Sequence, residues 1–227
     1  MFKYRAEITK DEEIRYISHL DYAALVERAI CRAKLPAAYS EGFNPHMKLA
    51  FASALAVGVT SEAEYMDFEL REEIPVSEAE IKLKKMLPQG VRLKKLRLLE
   101  GKGKALMSEA DLAFYQIRVP LTGTGEAAVK AVTEFNEAPV LVFKRVTPKK
   151  IREIEVKQYL KRKLVLDIKG EMAQLLLQII VTPTGSIKPG EILKILQEKF
   201  AFPARTETAL ISREKLYGQG KPLIELD

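Results

Sequence analysis

Two short polar stretches hold most of the side chains that could do chemistry. The first is Arg15-Tyr16-Ile17-Ser18-His19-Leu20-Asp21. Ser18 has the type and place of a helix N-cap, and Asp21 three residues on completes a box-like cap and suits the positive helix end. That explains Ser18 and Asp21 but not Arg15 or His19. The free amides at a helix start attract anions, so Arg15, Ser18 and His19 make a candidate anion site. The second stretch is Tyr39-Ser40-Glu41-Gly42-Phe43-Asn44-Pro45-His46-Met47-Lys48. Its Gly and Asn-Pro mark a loop, and Glu41, Asn44, His46 and Lys48 crowd it. His19 and His46 are the chain's two histidines. Brought together, they would offer an imidazole pair for acid–base catalysis or phosphate contact. They bracket one helix and its return, however, and a β-α-β unit can place such residues at opposite ends.

Other stretches point to binding. Lys82, Lys84, Lys85, Arg92, Lys94, Lys95 and Arg97 form one basic cluster, and Lys144, Arg145, Lys149, Lys150, Arg152, Lys157, Lys161, Arg162 and Lys163 form another. Either set can simply keep a surface wet, but together they fit a groove contacting phosphates without regard to base sequence. Lys94, Lys95, Arg97, Lys149 and Lys150 are the residues expected to do so. The acidic run Glu62, Glu64, Asp67, Glu69, Glu72 and Glu73 has the wrong spacing for a metal pair and is expected on a solvated face. Thr182–Pro189 lacks the Walker spacing and reads as a strand-to-helix turn, with Pro189 in the first helical turn.

The elements that must position these residues fall into two sets. Phe2–Ile8 alternates as a strand, and Ser18–Leu35 carries Leu20, Leu25, Ala29 and Ile30 at helical spacing with Pro36 beyond. Ala37–Ser40 and Leu49–Ala54 read as strand pieces flanking the polar loop. Tyr65–Leu70 is a strand, Ser77–Leu87 a helix with Ser77 and Glu80 as a capping box, and Val91–Leu99 a strand. The order β-α-β-β-α-β is the split ferredoxin-like unit. Glu100–Ser108, with Gly101 and Gly103, reads as a linker. After it, strand Ala113–Leu121, helix Gly125–Asn136, strand Pro139–Val146, a hairpin Leu164–Lys169 and Gln174–Val181, helix Lys188–Phe200 and strand Thr206–Ser212 repeat the order less cleanly. The expected fold is therefore α+β with two tandem ferredoxin-like (βαββαβ) halves: residues 1–100, a linker at 101–110, and residues 111–227.

Composition sets the limits. The chain has 227 residues, 47% of them hydrophobic and 30% charged, which suits packed cores rather than disorder. Its net charge of +6 is compatible with a polyanionic partner. The single cysteine, Cys31, excludes an internal disulfide and a thiolate-built metal cluster. It falls near Ala24, Val26 and Ile30 and reads as a buried structural thiol. The charged start and the lack of a long apolar run point to a cytoplasmic protein without a membrane partner.

RYISHLD, then AYSEGFNPHMKLAFASALAVGVTSEAEYMDFEL, closely resembles the bacterial radical-SAM-linked proteins that carry a domain of unknown function; GSIKPGEIL is the best later match. The resemblance spans nearly the whole chain and is dense over about the first 70 residues. It implies a radical SAM protein as neighbour or fusion partner and no established activity. The chain lacks a CxxxCxxC motif, so no cofactor is expected here. A broader fold-level likeness is to the CRISPR repeat-processing endoribonucleases. The expected function is an RNA-binding accessory protein working with a radical SAM partner in RNA modification. The alternatives are a metal-independent endoribonuclease using His19 and His46, or a protein–protein adaptor.

Overall fold

The structure is a computed structural model that describes residues 1–101, 104–147, 150–182 and 185–226. Among these residues it is a mixed α+β fold with a large sheet and five α-helices. None of the helices is long and apolar enough to cross a membrane. The chain forms two compact units, Met1–Asp111 with Lys215–Asp227, and Leu112–Glu214. The second unit is thus an insertion within the first, whereas the sequence places everything after residue 110 in one half.

In the first unit, β1 (Phe2–Lys10) lies between β4 (Leu93–Leu98) and β3 (Val59–Leu70), antiparallel to both, and the short β2 (Leu49–Phe51) adds to β3. Helices α1 (His19–Arg32) and α2 (Val76–Met86) contribute to the same core. Alternation along β1 sends Tyr4, Ala6 and Ile8 into that core with Met66, Phe68 and Leu70 of β3. Helix α1 adds Tyr22, Val26, Ala29 and Ile30, spaced to share one stripe. Each large apolar side chain buried this way contributes roughly 1.5–3 kcal/mol. Tyr22 fixes the docking by donating its hydroxyl hydrogen to the Thr9 carbonyl at 2.7 Å.

The alternate residues of β1 are charged, yet they are not solvated. Arg5 is wholly buried and pairs with Asp67 and Glu109, while Lys3 reaches Asp67 at 2.9 Å. Arg5 also donates to the carbonyls of Leu223 and Leu226, at 2.9 and 3.1 Å. Burial alone would weaken its charge, but Asp67 and Glu109 more than restore it and hold its pKa above the ordinary arginine value. Glu64 and Asp67, expected on a solvated face, are therefore interior groups, 1% and 3% exposed. Gly218 completes this side of the unit: a Cβ there would lie 2.1 Å from the Glu109 carbonyl oxygen.

Three local expectations are corrected. The capping box at Ser77 does not form: α2 begins at Val76 with Pro75 as cap and no side-chain cap bond, and Glu80 pairs with Lys84 instead. The stretch expected as a linker contains α3 (Leu106–Glu109), whose Leu106 and Glu109 are buried. Cys31 is exposed, because the buried stripe of α1 runs through Ala29 and Ile30 and the next residue turns about 100° away from it.

In the second unit, β5 (Leu112–Pro120), β9 (Met172–Ile180) and β8 (Val165–Lys169) lie side by side and antiparallel; β10 (Leu210–Gly218), next to β5 in the sheet order, starts in this unit and ends in the first. Helices α4 (Gly125–Glu137) and α5 (Pro189–Phe200) contribute to its core. Pro189 opens α5, as its fixed backbone angle favours, and Glu191 accepts from the Lys188 amide at 2.8 Å. The strand expected over Pro139–Val146 is instead β6 (Val142–Thr147). It pairs only with β7 (Lys150–Glu155) as a separate two-stranded ribbon. The end of β10 pairs with β11 (Lys221–Pro222).

Candidate functional site

The polar stretches of the sequence sit at the two ends of α1. At its start, Ser18 caps the helix: its hydroxyl accepts from the Asp21 amide at 3.1 Å and donates to the Asp21 carboxylate at 2.7 Å. Arg15 is only 5% exposed. Its Nε and Nη2 donate to the Gly58 carbonyl at 3.2 and 2.8 Å, and its Nη1 pairs with Glu12. The Arg15 carbonyl in turn accepts from Lys10 Nζ at 2.9 Å. Arg15 is a clamp between β1 and the turn at Gly58, so its guanidinium is committed within the fold and not offered to an anion at Ser18. His19 meets the ring of Phe51 edge-on, centroids 5.2 Å apart.

His46 lies elsewhere. The hairpin that carries it is held by Ser40 N to His46 O at 2.8 Å, His46 N to Ser40 Oγ at 3.0 Å and a Tyr39–Met47 bridge. Its tip, residues 41–45, is exposed, with Glu41, Gly42 (φ +121°), Phe43 and Asn44 in the turn. His46 lines a cavity of about 410 Å³ with Glu27, Arg28, Cys31, Arg32 and Tyr39. Those helix residues stand 8 to 13 positions after His19, roughly 12–20 Å along the axis at about 1.5 Å per residue. The two histidines are not brought together.

The basic residues also part company. Lys48 pairs with Glu69 at 3.3 Å and lines a cavity of about 350 Å³ with Lys3, Asp67 and Met107. Lys94, Lys95 and Arg97 do converge, on an open cavity of about 510 Å³ that also holds Glu80 and Glu225. A register shift in β4 leaves Lys94 between the residues paired with Glu7 and Ile8. Lys94 donates to the Glu62 carbonyl at 2.8 Å, and Arg97 to the Ile224 carbonyl at 3.0 Å. Lys95 is exposed. Lys149 lies outside the described residues, and Lys150 opens β7 opposite Thr147.

Sequence reasoning missed the cluster around His46. Glu27, Arg28, Cys31 and Arg32 recur at the i, i+1, i+4, i+5 spacing that puts them on one helix face. That signal was present, but a face that is polar and not apolar reads as solvated surface. Tyr39 stands across from it, its hydroxyl 3.7 Å from the Cys31 sulfur. That contact, joined by burial and by the nearby charge of Glu27, raises the Tyr39 pKa above its ordinary value.

A two-unit α+β scaffold with charged cavities on its first unit is the class of protein that these features define. The chain belongs to the family of uncharacterized proteins conserved in bacteria known as DUF2344, whose model matches residues 3–189. No curated protein matches it. Among solved structures, a chain of the "Crystal Structure of a Cbf5-Nop10-Gar1 Complex" is similar at 9% identity and a TM-score of 0.47, covering 94% of this chain and 50% of that one. This chain thus spans about half the length of that relative. The "Crystal Structure of an Unknown Protein from Galdieria sulphuraria" is similar at 9% identity and a TM-score of 0.28, covering 96% of this chain and 98% of that one.

Proposed function

We propose that this protein is an RNA-binding accessory protein of the bacterial cytoplasm that holds RNA for a radical SAM partner in RNA modification. The observation that carries the RNA reading is the convergence of Lys94, Lys95 and Arg97 on one open cavity. Cations grouped this way contact phosphates in a manner indifferent to base sequence. The roughly 12–20 Å of axial rise along α1 from His19 to the helix residues that line the His46 cavity favours holding RNA over cutting it with an imidazole pair, since proton transfer needs hydrogen-bond reach or one bridging water. The radical SAM partner rests on the sequence resemblance, and a sole cysteine leaves the cluster to be supplied by another polypeptide or domain.

The reading includes two tandem ferredoxin-like halves. In support, the first unit orders its strands β4-β1-β3-β2 and the second β10-β5-β9-β8, each the fourth-first-third-second order of a split β-α-β unit, with the β6–β7 ribbon inserted in the second.

The test is RNA binding to the full chain across salt concentrations. Log affinity should fall linearly with log salt, with a slope set by several phosphate contacts. Replacing Lys94, Lys95 and Arg97 together by Glu should weaken unrelated RNAs alike. No binding to any structured RNA at low salt would overturn the reading. Recovery of the tagged protein from its native host without a radical SAM polypeptide would remove the partner.

A further inference from the structure

We propose that the cavity between the last turns of α1 and the Tyr39–Met47 hairpin binds one nucleotide, free or as an unstacked residue of single-stranded RNA, with its phosphate on Arg28 and Arg32 and its base against Tyr39. This rests on the RNA-binding reading and names where one base would be held.

The cavity, about 410 Å³, is within the size range of small-ligand sites. Arg28 and Arg32 stand one helical turn apart on one face of α1, so both guanidiniums reach the same space. Arg32 donates one Nη2 hydrogen to the Met86 carbonyl at 2.9 Å, which orients its fork and leaves other hydrogens for a ligand. A planar fork of donors suits phosphate oxygens better than a point charge does. His46 adds an imidazole on the facing wall, and Glu27 supplies an acceptor for a ribose hydroxyl or a base amino group.

The facing wall suits a base. Tyr39 is 45% exposed, so a large part of its ring remains uncovered, and Pro45 adds apolar surface beside it. Phe43 at the hairpin tip is completely exposed. Stacking on such rings contributes about 1–3 kcal/mol per base and tolerates any base. The cavities at Lys48 and at Lys94 lack this combination. In one, Lys3 and Lys48 are neutralised by Asp67 and Glu69. The other has Lys94, Lys95 and Arg97 but no aromatic ring.

Cys31 provides the readout. It is the chain's only cysteine, it is exposed, and it lines this cavity. The rate of its alkylation by iodoacetamide is measured in the full chain with AMP, UMP, GMP or CMP, with the matching nucleosides, with inorganic phosphate, and with a single-stranded RNA. At ten times the dissociation constant the rate should fall about tenfold, because only free protein reacts. Nucleotides should protect at lower concentration than nucleosides or phosphate. Arg28→Ala, at an exposed position, should remove most of that protection without changing the melting temperature. Alkylation unchanged by saturating nucleotide would overturn the proposal. RNA binding is followed in parallel by fluorescence anisotropy. RNA that binds while Cys31 stays fully reactive sinks this cavity and leaves the RNA reading standing. Nucleotide protection without any RNA binding supports the cavity and sinks the RNA reading.

Discussion

Arg5 and Asp67 face each other across β1 and β3 as a two-point ion pair, Nε to Oδ1 at 2.7 Å and Nη2 to Oδ2 at 3.1 Å, with both side chains shielded from water. Removing one member of a buried pair leaves an uncompensated charge, which costs about 3–5 kcal/mol. Asp67→Ala should therefore lower unfolding stability by that order in a urea titration. The double change Arg5→Met with Asp67→Leu should cost less than Arg5→Met and Asp67→Leu added together, although it still leaves Glu109 without its partner. A double loss equal to the sum of the two single losses would show that the pair does not act as a unit.

Arg15 gives the opposite expectation from a ligand-binding arginine. Arg15→Lys cannot keep the paired donors to Gly58 together with the Glu12 contact, and should lose about 1–3 kcal/mol of stability. At temperatures where the variant remains folded, RNA affinity should match the parent. An affinity loss with unchanged stability, read from parallel urea and anisotropy titrations, would return Arg15 to the binding surface.

Lys94 and Lys95 are neighbours with different surroundings. Both are exposed, but Lys94 donates to the Glu62 carbonyl and lies 3.5 Å from Glu7 and 3.6 Å from Glu62. Lys95→Glu should leave the melting temperature unchanged, weaken RNA binding and reduce the salt slope by about one contact. Lys94→Glu would set a third carboxylate beside Glu7 and Glu62, so it should lower the melting temperature as well. Salt titrations and thermal melts of the two variants separate these outcomes.

Glu155 ties the end of the β6–β7 ribbon to the turn at Lys157–Tyr159. Its carboxylate accepts from the amides of Leu141, Lys157 and Gln158 at 3.1, 3.1 and 2.8 Å. Burial opposes its ionisation, but the three amides outweigh burial and hold its pKa below the ordinary carboxylate value. A carboxylate whose pKa falls on folding stabilises above its unfolded pKa, and the contribution is lost as pH falls through the folded one. Glu155→Gln should thus cost about 1–3 kcal/mol at pH 7. The gap from the parent should narrow as pH drops below the ordinary carboxylate range. A pH-independent gap in urea titrations would contradict this account.

Much of the first unit was legible because its elements are amphipathic on one scale at a time. The stripe of α1 and the alternation of β1 predict the buried faces directly, and Ser18 with Asp21 predicts where α1 starts. What escaped depends on partners distant in sequence. Nothing near Asp67 reveals that Arg5 lies opposite it, so an acidic strand reads as solvated when its charges are cancelled across the sheet. The strand Lys150–Glu155 hid because its two isoleucines, Ile151 and Ile154, are three residues apart and so do not alternate. The candidate site was half visible. His46 and its loop stand out as polar residues in a turn, but the helix face they meet is set by how the hairpin folds back. For the same reason the two histidines, close in type and placed around one helix, end up far apart.

The first unit has a discontinuous sequence, and this orders events on the ribosome. Two hydrogen-bond acceptors of Arg5, the carbonyls of Leu223 and Leu226, are made 218 and 221 residues after it. Every residue of the inserted unit, Leu112–Glu214, is synthesised before that segment, so it can fold first. Until then β1 carries a guanidinium whose final partners do not exist, and its hydrophobic side can collapse before its charged side can close. Nascent chains stalled before residue 215 should therefore resist protease in the inserted unit sooner than in the first.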